Sequence, residues 1–336
     1  MSSAAAYLLR PVTPSHHRPG RGFQNPWVGA SAPAFNGVIK WKLVHGTTRP
    51  RPRDPDPAAF IRRVQPTFHL PRAPAEVLTA TWVGHSSVLL QLGGLNILTD
   101  PVWSARASPV SFAGPRRWVP PAIDFAALPP IDIVLQSHNH YDHLDDRTVR
   151  RLALAQPDAE WLVPLGLAAF VEHRGVRRVT ELDWWQQNQV GAVNAACTPA
   201  QHFSGRGFGD RGATLWCGWA LAAPQGKRVF FAGDTGFHPE FASIAERHGP
   251  FDLALLPIGA YEPRWFMRAI HMNPEEAVEA CRALGARVMI PIHWGTFKLT
   301  DEAMDEPPLR ARAAWHQAGL PPEGYRQIAH GETVTL

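Results

Sequence analysis

The chain has 336 residues, 45% apolar and 18% charged, which is enough to bury a large core and too apolar for an intrinsically disordered protein. Lys plus Arg exceed Asp plus Glu by 33 − 29 = 4, a mild excess that argues against the dense basic surface of a nucleic-acid coat. Three cysteines, Cys197, Cys217 and Cys281, form no C-x-x-C pair, which argues against a disulfide framework and against a thiolate metal site.

The stretch at residues 4–9 ends at Arg10-Pro11, too short for a signal-peptide core. No run approaches the ~18 apolar residues of a membrane span. A cytoplasmic protein in a reducing compartment is the expectation. Twelve of the 33 prolines fall in the first 75 residues, and the Arg49-Pro50-Arg51-Pro52-Arg53-Asp54-Pro55-Asp56-Pro57 run excludes helix and central strand. Phe23, Trp27, Val38, Ile39 and Trp41 are scattered through this region. Residues 1–75 are therefore expected to form an irregular arm packed on the body, with 76–336 as the main domain. The Arg49, Arg51 and Arg53 cluster reads as a solvated face, with contact to an anionic membrane as the alternative.

From residue 78 onward, short β-type runs follow at 79–83, 87–91, 95–99, 131–136, 160–163, 193–198, 214–221, 228–232, 253–258 and 287–292. Helical stretches are expected at 146–155, 239–247 and 274–284. In the last, Asn273 can cap, Pro274 takes the first helical position, Glu275 and Glu276 meet the positive end of the dipole, and Gly285 can terminate. Strands interspersed with helices imply an α/β layered architecture.

The chemistry concentrates behind the strand at 131–136, where His138-Asn139-His140-Tyr141-Asp142-His143 places four candidate ligands in six positions. Imidazole and carboxylate are what zinc takes when thiolates are absent. The same pattern, an apolar run followed by His or Asp, recurs at His202, Asp234 and His293. Strand ends in a layered α/β protein gather along one edge, so these residues can converge. Seven ligands are too many for one four-coordinate zinc and suit two. A bridging carboxylate, best placed at Asp234, divides the other six three and three and leaves a shared position for water, which two metals acidify. The bland alternative, a histidine-rich loop that merely packs, suits any one of these histidines better than it suits them jointly.

The sequence His138-x-His140-x-Asp142-His143 with His202, Asp234 and His293 resembles the metallo-β-lactamase superfamily. Further blocks resemble its N-acylphosphatidylethanolamine-hydrolysing phospholipase D branch: Trp82-Val83-Gly84-His85, Leu98-Thr99-Asp100-Pro101, Gly114-Pro115-Arg116-Arg117, Glu181-Leu182-Asp183-Trp184-Trp185, Gly233-Asp234-Thr235-Gly236, Ile292-His293-Trp294-Gly295-Thr296 and, most discriminating, the run from Gly259 to Met267. The resemblance implies a four-layer αβ/βα sandwich and two Zn2+ or similar divalent ions. It assigns His138, His140 and His202 to one ion, Asp142, His143 and His293 to the other, and Asp234 between them. It further implies a phosphodiesterase that releases N-acylethanolamine and phosphatidic acid. The loop Phe203-Ser204-Gly205-Arg206-Gly207-Phe208-Gly209-Asp210 departs from the animal enzymes, which bears on lipid docking and acyl preference.

On this reading Asp142, Asp234 and His271 are the catalytic candidates, His271 as a hydrogen-bond donor to phosphate or an acid for the leaving oxygen. Tyr261, Arg264, Trp265 and His271 are candidates for substrate binding. Asp100 is divided between partnering a ligand histidine and forming an Asp-Pro turn, and His85 reads as a packed core histidine. The expected partner is a phospholipid and not nucleic acid, with peripheral membrane contact and a homodimer left open. A lactonase or amidase of the same superfamily, and a nuclease, are the competing functions, because the ligands alone do not select the bond attacked.

Overall fold

A computed structural model describes residues 14–20, 22–31, 37, 40–41, 52–207 and 209–336. The 4–9 stretch, Val38, Ile39, Arg49, Arg51 and Phe208 lie outside the described residues. Thirteen strands are described: β1 (Thr79–Gly84), β2 (Ser87–Leu92), β3 (Leu95–Thr99), β4 (Ile133–Leu135), β5 (Glu160–Pro164), β6 (Val179–Leu182), β7 (Gln187–Val190), β8 (Val193–Thr198), β9 (Gly218–Ala222), β10 (Arg228–Phe231), β11 (Leu253–Pro257), β12 (Val288–Ile292) and β13 (Thr333–Thr335). The longer helices are α1 (Asp146–Ala155), α2 (Glu240–His248), α3 (Pro274–Ala283) and α4 (Glu306–Gln317).

One sheet runs β13-β1-β2-β3-β4-β5-β6 and the other β12-β11-β10-β9-β8-β7. Each begins as an antiparallel meander and continues in parallel strands, from β3 to β6 in the first and from β10 to β12 in the second. Parallel neighbours need crossovers, and α1, α2 and α3 supply three of them.

The period of two in the strands sorts side chains between layers. Leu78, Ala80, Trp82, Val88, Leu90, Ile97, Ile133 and Leu135 join a core shared with Cys197, Trp219, Leu221, Val229 and Phe231 of the second sheet. Val83, Leu89, Leu98, Val134 and Trp161, at the alternate positions, pack with Val149 and Leu152 of α1. Phe241 and Ile244 of α2, Val278 and Cys281 of α3 and Trp315 of α4 extend the larger core beyond the second sheet. The result is a four-layer αβ/βα sandwich.

Helix α3 starts as its sequence dictates. Asn273 Oδ1 accepts from Glu276 N at 2.9 Å, Glu276 Oε2 accepts from Asn273 N at 3.1 Å, and Gly285 follows the last turn at φ +60°. The 214–221 run differs from expectation, since only Gly218–Ala222 joins the ladder. Leu215 N donates instead to Leu165 O and Cys217 N to Ser137 O, tying this segment to the first sheet's edge.

Candidate metal centre

The strands that precede the chemically interesting residues all run the same way. β1, β3 and β4 are co-directional in the first sheet, and β8, β10 and β12 in the second, so their C-terminal ends open on one edge. His85, Asp100 and His138 lie just beyond the first three, His202, Asp234 and His293 just beyond the others. The two sheet edges meet closely there: at Gly233, φ +59°, an added Cβ would stand 2.5 Å from Ser137 Cβ. His85, Asp100 and His293 themselves hold positive φ, at 55°, 30° and 61°. Such backbone costs about 1–3 kcal/mol per residue and persists where the surroundings impose it.

Two clusters result. In the first, His140 Nδ1 lies 2.9 Å from His138 Nε2 and 3.1 Å from His202 Nε2. In the second, Asp142 Oδ2 lies 2.9 Å from His85 Nε2, 3.3 Å from His293 Nε2 and 3.5 Å from His143 Nε2. Asp234 Oδ2 reaches both, at 3.1 Å from His143 Nε2 and His293 Nε2 and 3.9 Å from His138 Nε2 and His202 Nε2. All seven residues expected to ligate are thus brought together.

Electrostatics separates the clusters. Burial and the neighbouring imidazoles push His138 well below its ordinary value, with His140 at about 3, and burial takes His202 to about 4, so these three are neutral donors. Burial opposes ionisation of Asp142 and Asp234, but the facing histidines, His143 first, outweigh it and hold both well below the carboxylate range. Conversely, burial lowers His143 and His293, but Asp234 and Asp142 prevail, raising His143 well above its ordinary value and His293 to about 9.

The donor set fits divalent cations. Nitrogen and oxygen ligands converge without thiolate, and among the described residues Asp234 Oδ1 and His143 Nε2 are buried with no hydrogen-bond partner. The far sides of two of the rings, those of His143 and His202, are anchored as metal-binding imidazoles require. Asp100 Oδ2 lies 2.6 Å from His143 Nδ1 and is itself held by Ser137 Oγ at 2.5 Å, while Ser137 N and Gln136 Nε2 donate to Oδ1 at 2.7 and 3.0 Å. His202 Nδ1 donates to Ile270 O at 2.8 Å.

Other candidates fall differently. His271, nearly buried, points Nδ1 to 4.0 Å from Asp234 Oδ2, with its ring beside those of His202 and His293. Burial pushes its imidazole well below the ordinary value, so it is neutral near pH 7. Tyr261 does not join the site. Its ring is fully buried and its hydroxyl donates to Glu306 Oε1 at 2.7 Å, which orients it into the core and corrects the expectation of substrate contact. Arg264 is also committed, pairing with Glu276 at 2.7 Å and donating to His271 O at 2.9 Å. Trp265 is 47% exposed and, with Arg268, Phe237 and Gln201, lines an open cavity of about 450 Å3. His85 is fully buried, as a packed histidine would be, and its Nε2 also faces Asp142 Oδ2 at 2.9 Å. As a lone histidine behind a strand, it carried no joint pattern in the sequence.

A two-sheet sandwich whose strand ends converge histidines and carboxylates defines a metal-dependent hydrolase, and comparison with known proteins bears this out. The beta-lactamase superfamily domain matches residues 95–294. The chain is 46% identical to an uncharacterized protein of Mycobacterium tuberculosis, over 82% of this chain and 73% of that one. It is also 46% identical to N-acyl-phosphatidylethanolamine-hydrolyzing phospholipase D 1 of Caenorhabditis elegans, over 68% of this chain and 67% of that one. Among solved structures, a metallo hydrolase of Ignicoccus hospitalis, 23% identical, superposes with a TM-score of 0.58 over 77% of this chain and 98% of that one, a likeness of fold. The chain belongs to the metallo-β-lactamase superfamily and, within it, to the N-acylphosphatidylethanolamine-hydrolysing phospholipase D family.

Proposed function

We propose that this chain hydrolyses N-acylphosphatidylethanolamine to N-acylethanolamine and phosphatidic acid, with two zinc or similar divalent ions held in the two clusters. His138, His140 and His202 would hold one ion, Asp142, His143 and His293 the other, and Asp234 would reach both. The observation that carries this reading is the position of Asp234 Oδ2 between the clusters, and the name of the Caenorhabditis elegans relative supports the substrate. Bound there, the ions would acidify a water and neutralise phosphoryl charge.

The chain's own groups do the rest. Asp100 fixes the tautomer of His143 and aims its Nε2 inward. Asp142 keeps its charge against His85, His143 and His293. His271 is neutral, and cations nearby would disfavour its protonation further, so it serves by donating a hydrogen bond to a phosphate oxygen rather than as a resident imidazolium. Trp265 and Phe237 offer apolar surface to the lipid, with Arg268 beside them for its phosphate. Peripheral contact with a membrane suits this face. No helix among the described residues is long and apolar enough to cross a membrane.

The test is to incubate the metal-loaded protein with N-acylphosphatidylethanolamine, an aryl phosphodiester and a lactone in 18O-labelled water, and to identify products by mass spectrometry. Label in phosphatidic acid, with unlabelled N-acylethanolamine, is the expected result. Label in the alcohol, release of free fatty acid, or turnover of the lactone alone would reject the reading.

A further inference from the structure

We propose that Asn25, in the arm ahead of the sandwich, is a positioning residue for the metal centre, its amide clamping the backbone of His202. This rests on the reading of His202 as a metal ligand. His202 lies four residues past the end of β8, and among the described residues its N–H and C=O find no backbone partner. Asn25 stands in for one. Its Nδ2 donates to His202 O at 2.9 Å and its Oδ1 accepts from His202 N at 3.2 Å, the pair of bonds a neighbouring strand would make.

The amide's orientation is set by its other partners. Oδ1 also accepts from Trp216 Nε1 at 3.2 Å, and Nδ2 also donates to Ala30 O at 2.7 Å. Turned over, it would oppose donor to donor and acceptor to acceptor at all four contacts. With Nδ1 of His202 donating to Ile270 O, the histidine is held at three points, and Nε2 is the atom left to face His140 Nδ1.

The arm is fastened on both sides of Asn25, so the clamp has a fixed base. His16 Nε2 and His17 Nε2 lie 2.7 and 2.8 Å from the two oxygens of Asp183, and Phe23 N donates to Gly212 O at 2.7 Å. Beyond Asn25, Trp27 stacks on His238 at 4.8 Å between ring centres and on Trp184 at 5.8 Å. Asn25, which presents no side-chain ligand to either cluster, thereby determines where one is delivered.

Asn25→Asp is the discriminating variant. It keeps the shape and the acceptor, but sets an oxygen against the carbonyls of His202 and Ala30. Asn25→Ala removes the amide without that repulsion and carries the test if the aspartate variant does not fold. Zinc affinity is measured by chelator competition, the ligand field by visible absorption of the Co2+-substituted protein, and stability by melting of the metal-free protein. We expect one of two ions to bind about 10–100-fold more weakly, as when an outer partner of a ligand is lost. The other ion should be unaffected, and the Co2+ bands of the weakened site should change. His202→Ala should lose that same ion. Asn25 variants that melt lower when metal-free, yet bind zinc and Co2+ as the parent does, would overturn the positioning role alone. A His202→Ala variant that keeps both ions would overturn the ligand reading, and this proposal with it.

Discussion

The two clusters of the metal centre reach the same end by opposite means. His138, His140 and His202 present three neutral nitrogens with their ionisation suppressed by burial, so that cluster has no negative charge of its own and depends on Asp234. The cluster of His85, Asp142, His143 and His293 is rich in charge, with Asp142 inside it and Asp100 behind it. Neutral nitrogens face little competition from protons, whereas the second cluster must give up the protons that its carboxylates stabilise on His143 and His293 before a cation enters. One shared aspartate couples a site made of geometry to a site made of charge.

The largest effect should come from breaking that coupling. Asp234→Asn removes the charge that both clusters see. Metal analysis should show loss of one or both ions, and lipid hydrolysis should fall by more than the ~100-fold that losing an outer-shell partner can cost. Two tightly bound ions with near-parent activity would mean that the clusters are independent.

Asp100→Asn should act chiefly on the charged cluster, because Asp100 touches His143 Nδ1 directly and reaches His138 Nδ1 only by way of Ser137 Oγ. Zinc affinity of one ion should weaken by about 10–100-fold while the other is retained. Equal loss of both in a chelator titration would place Asp100 in the common framework instead. His271→Gln should leave both ions in place and lower kcat by about tenfold, less than the ~100-fold or more of a lost general acid. Because the neutral imidazole donates to phosphate, lipid and aryl phosphodiester should lose rate equally. Selective damage to the lipid reaction would favour acid catalysis.

The smallest change concerns a histidine that belongs to neither cluster. His238 is fully buried between Trp27 and Phe241, neither ring nitrogen has a hydrogen-bond partner among the described residues, and burial lowers its value to about 3. Above the unfolded value of about 6.5 the ring is neutral in both states. Below it, the unfolded chain takes up a proton that the folded chain refuses, so stability falls between pH 6.5 and 3. His238→Phe should keep the stacking, change stability at pH 7 by no more than about 1 kcal/mol, and flatten this acid limb. Urea unfolding of the metal-free protein across that range decides it, and an unchanged slope would show that His238 does not contribute.

What could be read from the sequence followed from repetition. An apolar run ending in His or Asp occurs several times, and strand ends that gather make the recurrence meaningful. Helix α3 was equally legible, since Asn273, Pro274, Glu276 and Gly285 each do locally what their chemistry favours. Helix α4 was hidden by Pro307 and Pro308, which look like breakers but sit in its first turn, where no N–H is needed. Strand β7, Gln187–Val190, is a polar, half-exposed edge with no apolar alternation to betray it. Tyr261 misled because a discriminating block of residues does not distinguish packing from contact. Asn25 was invisible for a different reason. Its partner His202 lies 177 positions away, and its bonds to that residue are to backbone, which leaves no side-chain pattern to detect.

The positive φ angles at His85, Asp100 and His293 carry a consequence for laboratory evolution of this chain. A campaign that selects only for heat resistance should be drawn to these positions, because glycine relaxes each of them. Every such gain removes a side chain from the region where the sheets meet. Libraries screened for melting alone should therefore accumulate well-folded members with little bound metal. A screen that requires metal retention should keep the three residues and find its improvements elsewhere, in the exposed turns.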